Sequence, residues 1–167
     1  MRHSALAIPV VGLVVLTSCS KPSHSQRGPD SGSVSSDVSA IDACALLTQA
    51  EIQQTLGVAV KPGFKQTTED SYQCQWDSQN EGDAAGVSVS VARYDDKLYR
   101  TMSSAQAAKP VSGFGEAAYK DYPHVGDIAI KHDGHEIDIG VVDFKLSNEK
   151  VDAAAAAFAK LVLSRVS

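Results

Sequence analysis

The sequence predicts an α+β domain, an antiparallel sheet of about 5–6 strands backed by N-terminal and C-terminal helices and held by one disulfide. Three observations carry this prediction. A helix-start signature comes first, short runs of period two fill the middle, and a long run of period 3.6 closes the chain. The composition fits one globular core: 167 residues, 43% hydrophobic and 6% aromatic. The 15 basic and 20 acidic side chains leave a net charge of −5, and no basic run occurs. That balance argues against nucleic acid as a partner, because such binding needs clustered Lys and Arg to neutralise phosphates.

The domain is assigned to residues 41–167. Asp42 is placed to cap a short helix over residues 43–47. Thr48-Gln49-Ala50-Glu51 then matches a capping box, Ile52 and Leu56 lie one turn apart on the helix it opens, and Gly57 is placed to end it. A weak strand is expected over residues 58–65 despite Pro62 and Gly63. Tyr72, Cys74 and Trp76 alternate with polar residues, as do Val87, Val89 and Val91, so each run has one apolar and one polar face. Asn80-Glu81-Gly82-Asp83 supplies the turn between them. A helix over residues 95–105 carries Leu98 and Met102 at i and i+4. Ile128 and Ile130 lead into Asp133-Gly134, and Ile137, Ile139 and Val141 lead out of it, the pattern of a two-residue hairpin. Ser147 is placed to cap a last helix whose apolar face comprises Val151, Ala154, Ala155, Phe158, Leu161 and Val162.

Ahead of the domain, Met1-Arg2-His3-Ser4 is a short positive start and residues 5–16 are uncharged and apolar, the form of a secretory signal over residues 1–18. About twelve apolar residues are too few for a spanning helix, which takes roughly 20. Leu16-Thr17-Ser18-Cys19 resembles the bacterial lipobox. That resemblance implies cleavage before Cys19, alkylation of its thiol with a diacylglyceryl group, and anchoring to a membrane without crossing it. The alternative is an ordinary secreted protein with a free thiol at Cys19. Residues 20–40 contain eight Ser, two Gly and two Pro, with Val34 and Val38 as the only large apolar residues. Such a segment reads as a flexible tether with a root-mean-square reach of about 25 Å.

With Cys19 given to lipid, Cys44 and Cys74 remain, and secretion places them where disulfides persist. A Cys44–Cys74 bridge would pin the N-terminal helices to the sheet; the alternative is two buried free thiols. No C-x-x-C spacing is present to suggest a redox centre.

The run Asp42-Ala43-Cys44-Ala45-Leu46-Leu47-Thr48-Gln49-Ala50-Glu51, then Cys74-Gln75-Trp76, then Gly113-Phe114-Gly115-Glu116-Ala117-Ala118, resembles a family of small bacterial envelope lipoproteins catalogued as a domain of unknown function. The resemblance implies a lipid anchor, a disulfide and an antiparallel sheet backed by helices. It implies no activity and supplies no catalytic residues.

Motifs of known chemistry are sparse. G-x-S-x-G and H-E-x-x-H are absent, and Gly113-Phe114-Gly115 lacks the third glycine and the Lys of a phosphate loop, so it reads as a turn. His132 and His135 would face each other across the hairpin at about 5 Å, near enough to share a metal with His124 or a nearby Asp. Both also continue the apolar parity of their strands, so the plainer reading is a polar rim on the core. Tyr94, Tyr99, Tyr119 and Tyr122 fall at expected element ends or loops, where amphipathic rings serve recognition or cover a core edge. The expectation is a protein of the bacterial envelope, facing the periplasm or cell exterior, with no cofactor. Its expected role is non-catalytic binding of a protein, a glycan or a small apolar ligand. The alternatives are an envelope hydrolase or metal-dependent enzyme built from dispersed residues, and an inhibitor of a hydrolase.

Overall fold

The computed structural model describes residues 41–104, 108–121 and 125–166. Cys19, the tether, Tyr122 and His124 lie outside the described residues. A short 3-10 helix, Ala43–Ala45, opens the fold, with Asp42 Oδ1 accepting from the Cys44 N–H at 3.0 Å. It is shorter than the helix expected over residues 43–47. Helix α1, Gln49–Leu56, begins with both halves of the expected capping box: Glu51 N–H donates to Thr48 Oγ1 at 3.3 Å and Thr48 N–H donates to Glu51 Oε2 at 2.9 Å. Gly57, at φ 76°, ends it in the left-handed conformation that glycine adopts without steric cost.

Seven strands follow, more than the 5–6 expected, in one fully antiparallel sheet of order β1-β2-β3-β7-β6-β5-β4. They are β1 Phe64–Thr67, β2 Ser71–Asp77, β3 Ala85–Arg93, β4 Ala108–Val111, β5 Ala117–Asp121, β6 Asp127–His132 and β7 His135–Asp143. Helix α2, Asp96–Ser103, lies between β3 and β4 in the chain, and α3, Asn148–Val166, ends it. Two meanders, β1-β2-β3 and β4-β5-β6-β7, are joined along β3 and β7, where Val87, Val89 and Val91 stand opposite Val141, Ile139 and Ile137. The β6-β7 hairpin turns at Asp133 and Gly134, both at positive φ (47° and 75°), as a type I′ connection requires.

β4 and β5 are the strands the sequence reading missed. Neither Ala108-Lys109-Pro110-Val111 nor Ala117-Ala118-Tyr119-Lys120-Asp121 has apolar alternation. β1 starts six residues later than expected, and all four of its residues are exposed. Residues 58–63 instead carry one bridge, Val60 to Ser78, and a close crossing at Gly63, where an added Cβ would lie 2.5 Å from Cys74 Sγ.

The alternation decides which face is buried. Tyr72, Cys74, Trp76, the three β3 valines, Ile128, Ile130, Ile137, Ile139 and Val141 point to one face, where they meet Leu47, Ile52 and Leu56 and the Val151, Ala154, Ala155, Phe158, Ala159 and Val162 stripe of α3. The small residues let α3 pack close to the sheet, and Phe158 and Trp76 fill the space between. Cys44 and Cys74 form the disulfide, with Cα atoms 5.0 Å apart, tying the first turn of the domain to the second strand. Arg165 near the end of α3 closes the same layer: its guanidinium donates to the Leu46 carbonyl at 2.5 Å and holds both carboxylate oxygens of Glu51. Among the described residues no helix is long and apolar enough to cross a membrane.

Candidate functional site

The second face of the sheet is polar and only partly covered. Its side chains fall into cross-strand rows. Gln73, Ser90, Asp138, Ala129 and Tyr119 run across β2, β3, β7, β6 and β5, and beside them Gln75, Ser88, Gly140 and Asp127 form a second row. Helix α2, capped by Asp95 accepting from the Leu98 N–H at 2.8 Å, lies over the β4-β5 side of this face. It is held there by Tyr99, whose ring packs between Tyr94 at 5.3 Å and Tyr119 at 5.2 Å, over Ala129. Lys131 Nζ sits 4.6 Å from the Tyr94 ring and pairs with Glu116 at 3.1 Å.

Three of the four singled-out tyrosines are thus brought together, but as a second small core rather than as free rings in a groove. Tyr99 and Tyr119 are buried and Tyr94 is half-buried. Neither ring sits at an element end; Tyr99 is inside α2 and Tyr119 inside β5. Leu98 and Met102 lie on the adjacent face of α2, 54% and 41% exposed, and form a wall above the open half of the sheet.

Between that wall and the sheet is a concavity of about 440 Å³ floored by Ser90, Asp127, Asp138 and Gly140 and reaching Glu136 at its inner end. A second concavity of about 590 Å³ shares Gln73, Ser88, Asp127 and Gly140 with it and continues toward the exposed Val142 and Phe144. Gly140 keeps the two continuous. A Cβ there would stand 2.6 Å from Ser88 Oγ and 3.2 Å from Asp127 Oδ1, closing the floor.

The electrostatics of the inner end are one-sided. Three carboxylates, Asp127, Glu136 and Asp138, line the first concavity, and Lys131, the cross-strand partner of Glu136, pairs with Glu116. Neither Glu136 nor Asp138 is hydrogen-bonded or ion-paired to a described residue, and Glu136 is only 8% exposed. Burial, then Asp95, pushes the Glu136 carboxyl up. Asp138 reaches solvent, yet the crowding of protein around it, then Glu136 and Asp127, push its carboxyl up to about 7.

His132 and His135 are opposed across the hairpin, as its turn requires. Both face the core side of the sheet; His135 is 8% exposed, and its two ring nitrogens and His132 Nε2 are buried without a hydrogen-bond partner. Among the described residues no group of three or more His, Cys, Asp or Glu side chains is arranged to hold a metal ion.

The acidic floor was not among the candidates read from the sequence, although a signal for it exists. On the hairpin, Glu136 and Asp138 alternate with isoleucines, and Asp127 falls on the same face two residues before Ala129, the register partner of Asp138. The pattern reads as an ordinary solvated face until α2 is placed over it.

Residues 14–161 match a family described as "Protein of unknown function (DUF3558)". The chain belongs to this family. That agrees with the resemblance drawn from the helix-start and cysteine motifs. No curated protein and no solved structure matches the chain.

Proposed function

We propose that this family member is a lipid-anchored protein of the bacterial envelope, and that its domain is a non-catalytic binding module working through the polar face of the sheet. The observation that carries the binding role is the continuous groove on that face, walled by exposed apolar side chains and floored by polar ones, on a sheet whose other face is fully used by the core. The lipobox resemblance at Cys19 and the Ser-rich segment after it support the anchor and a tether that leaves the face accessible. Two acyl chains at ~0.8 kcal/mol per buried methylene would make such anchoring lasting.

A photo-crosslinking residue at Ser90 on the groove floor, compared with one at Lys160 on the outer side of α3, tests the binding face in cells making the full chain. A specific adduct from position 90 and none from position 160 is the expected result; equal labelling from both overturns it. Intact mass tests the anchor, since an unmodified Cys19 or cleavage elsewhere refutes it. A hydrolase is the second reading, and it rests on the neighbouring Glu136 and Asp138 carboxyls, both held above their ordinary range as acid–base chemistry requires. Turnover of a glycoside or ester substrate that Asp138→Asn abolishes would replace the binding reading with this one.

A further inference from the structure

The tip of the β6-β7 hairpin, His132-Asp133-Gly134-His135, brings together polar side chains that neither the core nor the groove uses. His135 is more than nine-tenths buried, and both of its ring nitrogens lack a hydrogen-bond partner among the described residues. His132 Nε2, from the strand directly opposite, is buried and unpartnered as well. In a neutral imidazole one nitrogen donates and the other accepts, and folds ordinarily satisfy such atoms when they bury them. All three orphaned atoms belong to two rings whose Cβ atoms the register holds about 4.5–5.5 Å apart.

A carboxylate meets them there. Asp133 Oδ2 lies 3.6 Å from His132 Nε2. That separation is too long for a hydrogen bond. It suits two atoms that share one ion, because ligands at about 2.0–2.2 Å in a tetrahedral shell stand about 3.3–3.5 Å from each other. The turn holds the carboxylate in place: Asp133 and Gly134 are both at positive φ, and the Asp133 N–H donates to Glu116 Oε1 at 3.1 Å. The His132 side chain is 21% exposed and that of Asp133 71%, so the tip is open to an ion from solution.

We propose that this hairpin tip binds one late first-row divalent metal ion, held by His132 Nε2, Asp133 Oδ2 and a ring nitrogen of His135, with water completing the shell. Among the described residues no three such groups stand gathered beforehand, so the His135 ring turns toward His132 as the ion enters, and its orphaned nitrogen gains a metal bond. Imidazole ligands select copper(II), nickel(II) or zinc(II) over the hard magnesium and calcium ions, which take oxygen. Copper(II) is the tightest binder in the general order of affinities. The site lies on the core side of the sheet and stands whether or not the groove on the opposite face binds anything.

The test is calorimetric titration of the full chain, in non-ionic detergent and without a histidine tag, with copper(II), zinc(II) and magnesium chlorides. His3, His24 and His124 are changed to Gln in the parent, so that only the hairpin histidines remain. One equivalent of copper(II) should bind, more tightly than zinc(II), and magnesium should not. His132→Gln, His135→Gln and Asp133→Asn should each weaken copper(II) by about tenfold or more. Asn-Gly is itself a favoured pair for this turn, so Asp133→Asn removes the carboxylate and keeps the hairpin. Urea midpoints without metal verify that all three variants remain folded, and copper(II) should raise the midpoint of the parent more than that of any variant. No saturable copper(II) binding below roughly 0.1 mM, magnesium binding as tight as copper(II), or copper(II) affinity unchanged in any one folded variant overturns the proposal.

Discussion

Replacing Asp138 by Asn should stabilise the protein, and only above mild acidity. In the unfolded chain the carboxyl titrates near 3.8; in the fold it is pushed up to about 7 by crowding and by Glu136 and Asp127. Because the folded state holds its proton more tightly, native stability falls as pH rises from about 4 to about 7 and the cost is complete above that. A rise of that size corresponds to roughly 4 kcal/mol at ~1.4 kcal/mol per unit. The side chain reaches water, however, and solvent screening reduces the cost to about 1–2 kcal/mol. Its cross-strand neighbours in the row, Ser90 on β3 and Ala129 on β6, carry no ionisable group. Urea unfolding followed by the fluorescence of Trp76, the single tryptophan, gives the difference between wild type and Asp138→Asn at each pH. With a slope of about 1–3 kcal/mol per molar, the midpoint should rise by about 0.5–1 M at pH 8, and the rise should largely disappear at pH 3.5. An equal rise at both pH values, or a fall at pH 8, refutes the account of crowding and carboxylate repulsion.

Two further perturbations probe the helical layer. Arg165→Ala removes the guanidinium that holds Glu51 at about 2, well below its ordinary 4.5. Wild-type stability from this pair is present above pH 4.5 and lost as pH falls toward 2, so the variant should lose about 1–2 kcal/mol at pH 7 and show a flatter acid limb in urea titrations. Changing Cys44 and Cys74 together to Ala opens a bridge across 30 residues of sequence and should cost about 3–4 kcal/mol, visible as a lower urea midpoint that reducing agent no longer changes.

The legible parts of the fold were those where local chemistry and tertiary role coincide. The β6-β7 hairpin announces itself because Asp133-Gly134 is the turn and the isoleucines on both sides are the core. Helix α1 does so because Thr48 and Glu51 satisfy each other within four residues. β4 and β5 stay hidden for the opposite reason: Ala118 and Tyr119 are buried on opposite faces, one under α3's layer and one under α2, so no alternation survives. The acidic site was unreadable for a related cause. Asp127, Glu136 and Asp138 look like solvent-facing positions, and only the placement of α2, fixed by the Tyr94, Tyr99 and Tyr119 packing, turns them into the floor of a groove.

The two outermost strands, β1 and β4, are four residues each; one carries Lys65 and the other Lys109 and Pro110. A sheet edge with free backbone groups is a template for another chain, and short length, lysine and proline are the features that spoil it. An anchored protein of the kind proposed is confined to two dimensions and meets its own copies far more often than a dissolved one. Blunt margins on both sides of the sheet would let such molecules crowd together on a lipid surface without zipping into aggregates.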